Sequence, residues 1–163
     1  MPIPSSADHD LGAAASQPQI RTRFELTVHA PYKIAFPLFG PNGERAWAGK
    51  DWDPQFVYPS PATDVQGAVF TIQHGPHRAI WVNTAFDIEG RHIQYAYFIS
   101  DVMVTTIDLT FPPSDSDRTK IEVVYERTGL NTAANADVKE LGVIDRARGA
   151  DWEKAINAFL EQQ

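Results

Sequence analysis

The sequence predicts one α+β domain: a curved antiparallel β-sheet wrapped around a long C-terminal α-helix, with two short helices after the first strand. Two observations carry this. From Gly67 to Gly129, segments alternating apolar and polar residues follow one another across turn residues such as Gly75-Pro76 and Glu89-Gly90. Connections that short make antiparallel neighbours natural. After Asn131 the period changes to three and four, with Val138, Leu141, Ile144, Trp152, Ile156, Phe159 and Leu160 near one stripe, the mark of a helix with one apolar face.

Residues 1–19 are rich in Ala, Ser, Pro and Asp and have neither period, so they read as a flexible N-terminal tail, and the folded domain is expected over 20–163. Its first strand follows from Phe24, Leu26 and Val28 alternating with Arg23, Glu25 and Thr27. Pro31 opens a short helix with Ile34, Ala35, Leu38 and Phe39 as its stripe, and Pro37 keeps it short or bent. Between Gly43 and Pro54, one helical turn, several breakers, Trp47 and Trp52 form a packed connector. Strands are expected at about 67–74, 78–88, 91–99, 102–111 and 119–129. A tight turn at Glu89-Gly90 pairs Phe86 with Ile93, Thr84 with Tyr95, Val82 with Tyr97 and Ile80 with Ile99. At Ser100-Asp101 a three-residue loop including Val102 is needed to set Leu109 against Ile93 and Ile107 against Tyr95, since a two-residue turn would place Asp108 there. Ile121 opposite Leu109 then brings Val123, Tyr125 and Arg127 to the same inner face, with Arg127 opposite Met103 at its end. Gly149 weakens the middle of the final helix, and Asp151 can cap a second segment, so a kink is expected there.

Composition narrows the function. With 163 residues, 43% hydrophobic and 21% charged, the chain can build a core that removes about 70% of its unfolded surface from water. A net charge of −7 without a compensating Lys/Arg run repels phosphate backbones, so nucleic acid is not an expected partner. The absence of cysteine rules out disulfides and thiolate nucleophiles. No apolar run reaches the ~20 residues a bilayer span needs, and the N-terminus lacks a basic segment followed by an apolar one. The expectation is a cytoplasmic protein without membrane insertion.

The order of elements resembles the START-like, or SRPBCC, superfamily with its polyketide cyclase/dehydrase-like members. Local phrases agree: Glu44-Arg45-Ala46-Trp47, Trp52-Asp53-Pro54-Gln55-Phe56-Val57-Tyr58-Pro59, Gly67-Ala68-Val69-Phe70-Thr71, Ile80-Trp81-Val82, and the closing Trp152-Glu153-Lys154-Ala155-Ile156-Asn157-Ala158-Phe159-Leu160. The likeness spans roughly residues 20–163. It implies the helix-grip fold, with a cavity between sheet and helix that in relatives holds lipids, sterols, polyketides or quinones. The superfamily also contains aromatase/cyclases and chaperone-ATPase activators, but none of their catalytic sets maps onto this chain.

Chemistry-bearing residues are sparse. His74 and His77 form an H-x-x-H, but the third candidate, His92, lies a strand length away, so no three-ligand metal site closes. G-x-S-x-G is absent. No cofactor is implied. The assigned inner face instead offers Thr71, Val82, Thr84, Tyr95, Tyr97, Thr105, Ile107, Tyr125 and Arg127 as ligand-binding residues, an apolar wall with a few convergent polar groups. As plain core residues the tyrosines would bond backbone or water, with Arg127 paired to a carboxylate at the rim. For function, Arg127 is expected at the pocket mouth, with Tyr97 and Tyr125 near the ligand. Phe70 and Trp81 fall on the opposite face, where an exposed patch would indicate a homodimer. The expected function is binding of a hydrophobic or aromatic small molecule in the cavity. The alternative is a cyclase or dehydratase in which Tyr or Arg127 polarises a carbonyl, and a protein-interaction domain is a third class.

Overall fold

The computed structural model describes residues 19–163; the rest of the expected tail lies outside the described residues. Strand β1 (Gln19–Val28) leads into α1 (Tyr32–Ala35) and two 3₁₀ turns, Phe36–Phe39 and Gly43–Ala46. A meander follows: β2 (Gln55–Tyr58), β3 (Val69–His74), β4 (His77–Asp87), β5 (His92–Ile99), β6 (Met103–Thr110) and β7 (Thr119–Gly129). The 27-residue α2 (Ala134–Leu160) closes the chain. The strands form one seven-stranded antiparallel sheet ordered β1-β7-β6-β5-β4-β3-β2. Strand β2, within the expected connector, is largely exposed and lacks the alternation that would reveal it. Among the described residues no helix is long and apolar enough to cross a membrane.

Helix α2 lies along β1. Its side chains bond the backbone of β1 and the residue beyond it: Glu153 Oε2 accepts from Thr27 N and Asn157 Oδ1 from His29 N, both at 2.8 Å, while Asn157 Nδ2 donates to Thr27 O at 3.0 Å. These contacts occupy groups that an edge strand otherwise leaves unpaired. The helix runs unbroken through Gly149, without the expected kink. Its buried stripe is Ala134, Val138, Gly142, Asp145, Gly149 and Ile156, whereas Ile144 is exposed. The glycines allow close approach: a Cβ on Gly149 would lie 2.9 Å from Glu25 O, and one on Gly142 would lie 2.6 Å from Ile20 Cγ2. Backbone cannot yield as a side-chain tip can. We therefore expect Gly149→Ala to destabilise by about 1–3 kcal/mol through overpacking. Gly142→Ala should cost less than Gly149→Ala, because the obstacle is the Ile20 methyl rather than backbone and the helix gain of about 1 kcal/mol over glycine offsets part of the shift. Urea melts of both variants check this, and a Gly149→Ala gain contradicts the packing.

The three-residue corner is present. Ile99 pairs with Met103 across Ser100-Asp101-Val102, Ile93 with Leu109 and Tyr95 with Ile107; Asp101 takes φ 59. Between β6 and β7 the faces are as expected but the register differs by two residues: Leu109 opposes Val123, and Arg127 opposes Thr105 rather than Met103. A two-residue slip leaves every side chain on its own face, so alternation cannot detect it.

On β4 the faces themselves change. Phe86 opposes Ile93, but a bulge between Asn83 and Ala85 makes Asn83, not Thr84, oppose Tyr95 and Trp81, not Val82, oppose Tyr97. The extra residue inverts parity for the rest of the strand. Thr84, Val82 and Ile80 therefore turn away from the interior, with Ile80 51% exposed, while Trp81 and Asn83 are buried. Asn83 fits the bulge: with its NH2 turned to the two carbonyls beside it, it donates to Gln94 O at 3.0 Å and Ala85 O at 2.6 Å. The change passes to β3, where Phe70 pairs with Trp81 and Thr71 with Ile80. Phe70 is wholly buried rather than part of an exposed patch, and Thr71 lies on the outer side, accepting from Arg78 Nη2 at 3.2 Å.

Candidate ligand cavity

Between the sheet and α2 lies a cavity of about 300 Å³. Strand alternation supplies one wall: His74, Trp81, Tyr95, Tyr97, Ile107, Leu109, Tyr125 and Arg127 all project from the inner face. The helix adds Arg148, Asp151, Trp152 and Ala155, one to two turns apart, and the connector adds Glu44, Trp47, Ala48 and Trp52. All four tryptophans of the chain line it. Two are seated by their indole N–H groups, Trp47 Nε1 donating to Leu38 O at 2.7 Å and Trp52 Nε1 to Pro41 O at 2.9 Å. The wall is a laminate of rings: Trp81 stacks on Tyr97 with centroids 4.1 Å apart, and His74 lies on Tyr97 at 5.6 Å and 9°. Trp52 meets Trp81 edge-on at 5.4 Å, and Trp47 meets Trp152 at 5.5 Å.

A charge cluster joins the sheet wall to the helix. Arg127 forms a two-pronged pair with Asp145 of α2, Nε to Oδ2 at 2.6 Å and Nη2 to Oδ1 at 3.0 Å, with both side chains at most 2% exposed. Its Nη1 donates to Tyr97 OH and, at 3.1 Å, to Thr105 Oγ1. The guanidinium carbon lies 5.0 Å from the Tyr125 ring centre. Burial opposes the charge on Arg127, but the hydrogen bonds to Asp145 and Tyr97 and the charge of Asp145 outweigh it and hold its pKa above the ordinary value. Arg148 also bonds Asp145, through Nε at 2.7 Å. Burial and then the charges of Arg127 and Arg148 depress the His74 pKa, and its Nε2, like Trp81 Nε1, is buried without a partner among the described residues.

The connector contributes Glu44, 7% exposed, whose carboxyl makes no hydrogen bond to any described residue. Burial, and then the charge of Asp64, push its pKa well above the usual carboxylate range, which favours the protonated form. The turn that presents it is tightly built. Asp64 accepts from Asn42 N at 2.8 Å and Gly43 N at 3.1 Å, and a Cβ on Gly43 would fall 1.8 Å from Pro37 O. Tyr95 OH donates to Phe39 O at 2.5 Å, tying the sheet to the 3₁₀ turn.

Of the residues expected to bind ligand, Tyr95, Tyr97, Ile107, Tyr125 and Arg127 line the cavity. Thr105 is buried behind the wall, beneath Arg127. Thr71, Val82 and Thr84 are not brought to it, because the β4 bulge turned them outward. Arg127 is enclosed rather than at the mouth, held by an acidic partner the sequence reading did not identify. One signal was available: Asp145 occupies the helix stripe of Val138, Gly142, Gly149 and Ile156, where an acid needs a buried cation. His74, half of the H-x-x-H pair, belongs to the ring stack. Glu44 carried no signal, since its 3₁₀ turn has no periodicity. His92 lies on the outer face, paired with Asp108.

No protein-family model matches the sequence, and no curated protein does. Solved structures match the fold. Norcoclaurine synthase from Thalictrum flavum, in complex with dopamine and hydroxybenzaldehyde, superposes with a TM-score of 0.66 at 14% identity, covering 91% of this chain and 90% of that one. Ara h 8.0201 gives 0.59 at 15% identity, covering 90% of this chain and 100% of that one. DynU16, from the dynemicin biosynthetic locus, gives 0.57 at 15% identity, covering 88% of this chain and 48% of that one, so this chain spans about half its length. The architecture shared with these proteins is a helix-grip fold, an antiparallel sheet closed over a long C-terminal helix, and this chain has it.

Proposed function

We propose that the cavity binds a compact aromatic molecule of one or two rings. One observation carries this reading: a space of about 300 Å³ bounded by Trp47, Trp52, Trp81, Trp152, Tyr97 and His74. Flat rings offer apolar area with few rotamers to freeze and prefer stacked or edge-on partners, so a planar guest gains contacts that a flexible chain does not. The volume sits at the small end of the ~300–1,000 Å³ typical of ligand sites, which disfavours long-chain lipids. Norcoclaurine synthase, which shares the fold, holds two small aromatic compounds in its crystal structure.

A second reading, an enzyme of the cyclase or dehydratase type acting in the same space, draws support from Glu44. An un-ionised carboxyl without a protein partner is a proton donor in waiting. Arg127 suits the role of carbonyl polariser less well, being already engaged by Asp145, Tyr97 and Thr105.

Titrating ¹⁵N-labelled protein with 2-naphthol tests occupancy, because ring currents from a guest reach the indole N–H groups of all four tryptophans. Saturable shifts of those four cross-peaks are expected, whereas palmitate should leave them in place. Shifts confined to outer-face amides near Ile80 and Phe98 would place binding elsewhere. Following 2-naphthol-competent guests for turnover, with Glu44→Gln as control, separates carrier from catalyst.

A further inference from the structure

We infer that the guest is an aromatic acid, its carboxylate set against Arg148 near the mouth and an oxygen at its far end meeting the Glu44 carboxyl. This rests on the aromatic reading above and narrows it. Arg148 lines the cavity, its side chain is 32% exposed, and it is oriented by a single bond from Nε to Asp145. Its two Nη atoms have no partner among the described residues, so the planar edge that matches a carboxylate in two parallel bonds is unused. Arg127 is saturated by comparison, with Asp145, Tyr97 and Thr105 around it.

The surrounding charges favour an anion. Asp145 lies behind Arg127, shared between two guanidiniums. Asp151, the other acid of this wall, is exposed and forms no ion pair with either arginine. The pKa of His74 is depressed by both arginines, with burial the larger cause, and no carboxylate offsets them. Burial raises the Tyr125 pKa, and the charges of Arg148 and Arg127 oppose that rise. An ammonium guest would meet the Arg148 guanidinium and, on the connector side, a carboxyl whose pKa burial raises. A carboxylate guest finds a free guanidinium edge, and a protonated Glu44 can donate to a hydroxyl or carbonyl oxygen, whereas an ionised one could only accept from a hydroxyl.

The test compares 6-hydroxy-2-naphthoate, its methyl ester and 2-naphthoate by calorimetry at neutral pH, with the indole cross-peaks confirming the site. The hydroxy acid is expected to bind at least about tenfold tighter than its ester, a single charge-assisted contact of 1.4 kcal/mol or more. Arg148→Met should bring acid and ester within about threefold of each other, and Glu44→Leu should remove the advantage of 6-hydroxy-2-naphthoate over 2-naphthoate. An ester that binds as tightly as the acid in the unaltered protein overturns the inference while leaving the aromatic reading intact, as does acid preference that survives in Arg148→Met. If none of the three compounds moves the indole peaks, the aromatic reading fails and this inference with it.

Discussion

Arg127→Met should lower the unfolding free energy by about 3 kcal/mol or more, because it strands Asp145, 1% exposed, with only Arg148 to answer its charge. Tyr97 OH and Thr105 Oγ1 lose their donor in the same step. Combining Arg127→Met with Asp145→Leu should recover most of the loss, since replacing both members of a buried pair removes the desolvation penalty together with the attraction. Arg148, partly exposed, can turn to water. Urea denaturation followed by circular dichroism of the two single variants and the double variant completes a thermodynamic cycle. A single variant as stable as the parent would mean that the pair does not hold α2 to β7 as the geometry indicates.

Stability should fall as pH rises above about 4.5, and Glu44 is the main cause. Its folded-state pKa is raised, so the folded protein keeps a proton the unfolded chain releases near the ordinary value of 4.5. The contribution of Glu44 is therefore complete below that value and is lost progressively as pH climbs towards the folded pKa, at up to about 1.4 kcal/mol per pH unit. Asp64, the carboxylate whose charge adds to the effect, is itself raised, first by burial, despite the bonds from Asn42 and Gly43 that lower it. Glu44→Gln should flatten the profile, leave the smaller Asp64 slope, and melt at a higher temperature than the parent at pH 8. Parallel melting curves for parent and variant from pH 5 to 8 would show that the carboxyl is solvated and ionises freely. A flattened profile supports a neutral Glu44, the premise on which its role as a donor to ligand depends.

These two expectations involve residues of different legibility. Arg127 was placed on the inner face by alternation along β7, and its nearness to Tyr97 and Tyr125 followed from the strand order. Its partner was overlooked because a helix stripe containing Gly142, Asp145 and Gly149 looks weaker than one drawn through Leu141 and Ile144, although the former is the buried one. Hydrophobicity marks a buried helix face only where large side chains fill it; here α2 sits so close to β1 that glycine is what fits.

The sequence by itself determined the fold class, the antiparallel meander, the three-residue corner at Ser100 and the inward direction of Tyr95, Tyr97, Ile107, Tyr125 and Arg127. Those features rest on periodicity, which each segment carries within its own few residues. Tertiary structure decided what depends on counting across segments. The bulge at Asn83 exchanged Val82 and Thr84 for Trp81 and turned Thr71 outward, the two-residue shift on β7 moved Arg127 from the mouth to the interior, and the folding of an aperiodic connector delivered Glu44, Trp47 and Trp52 to the cavity. An inserted residue in a strand is settled by which carbonyls its side chain can satisfy and which rings can pack behind it, and those partners come from strands and turns distant in the chain.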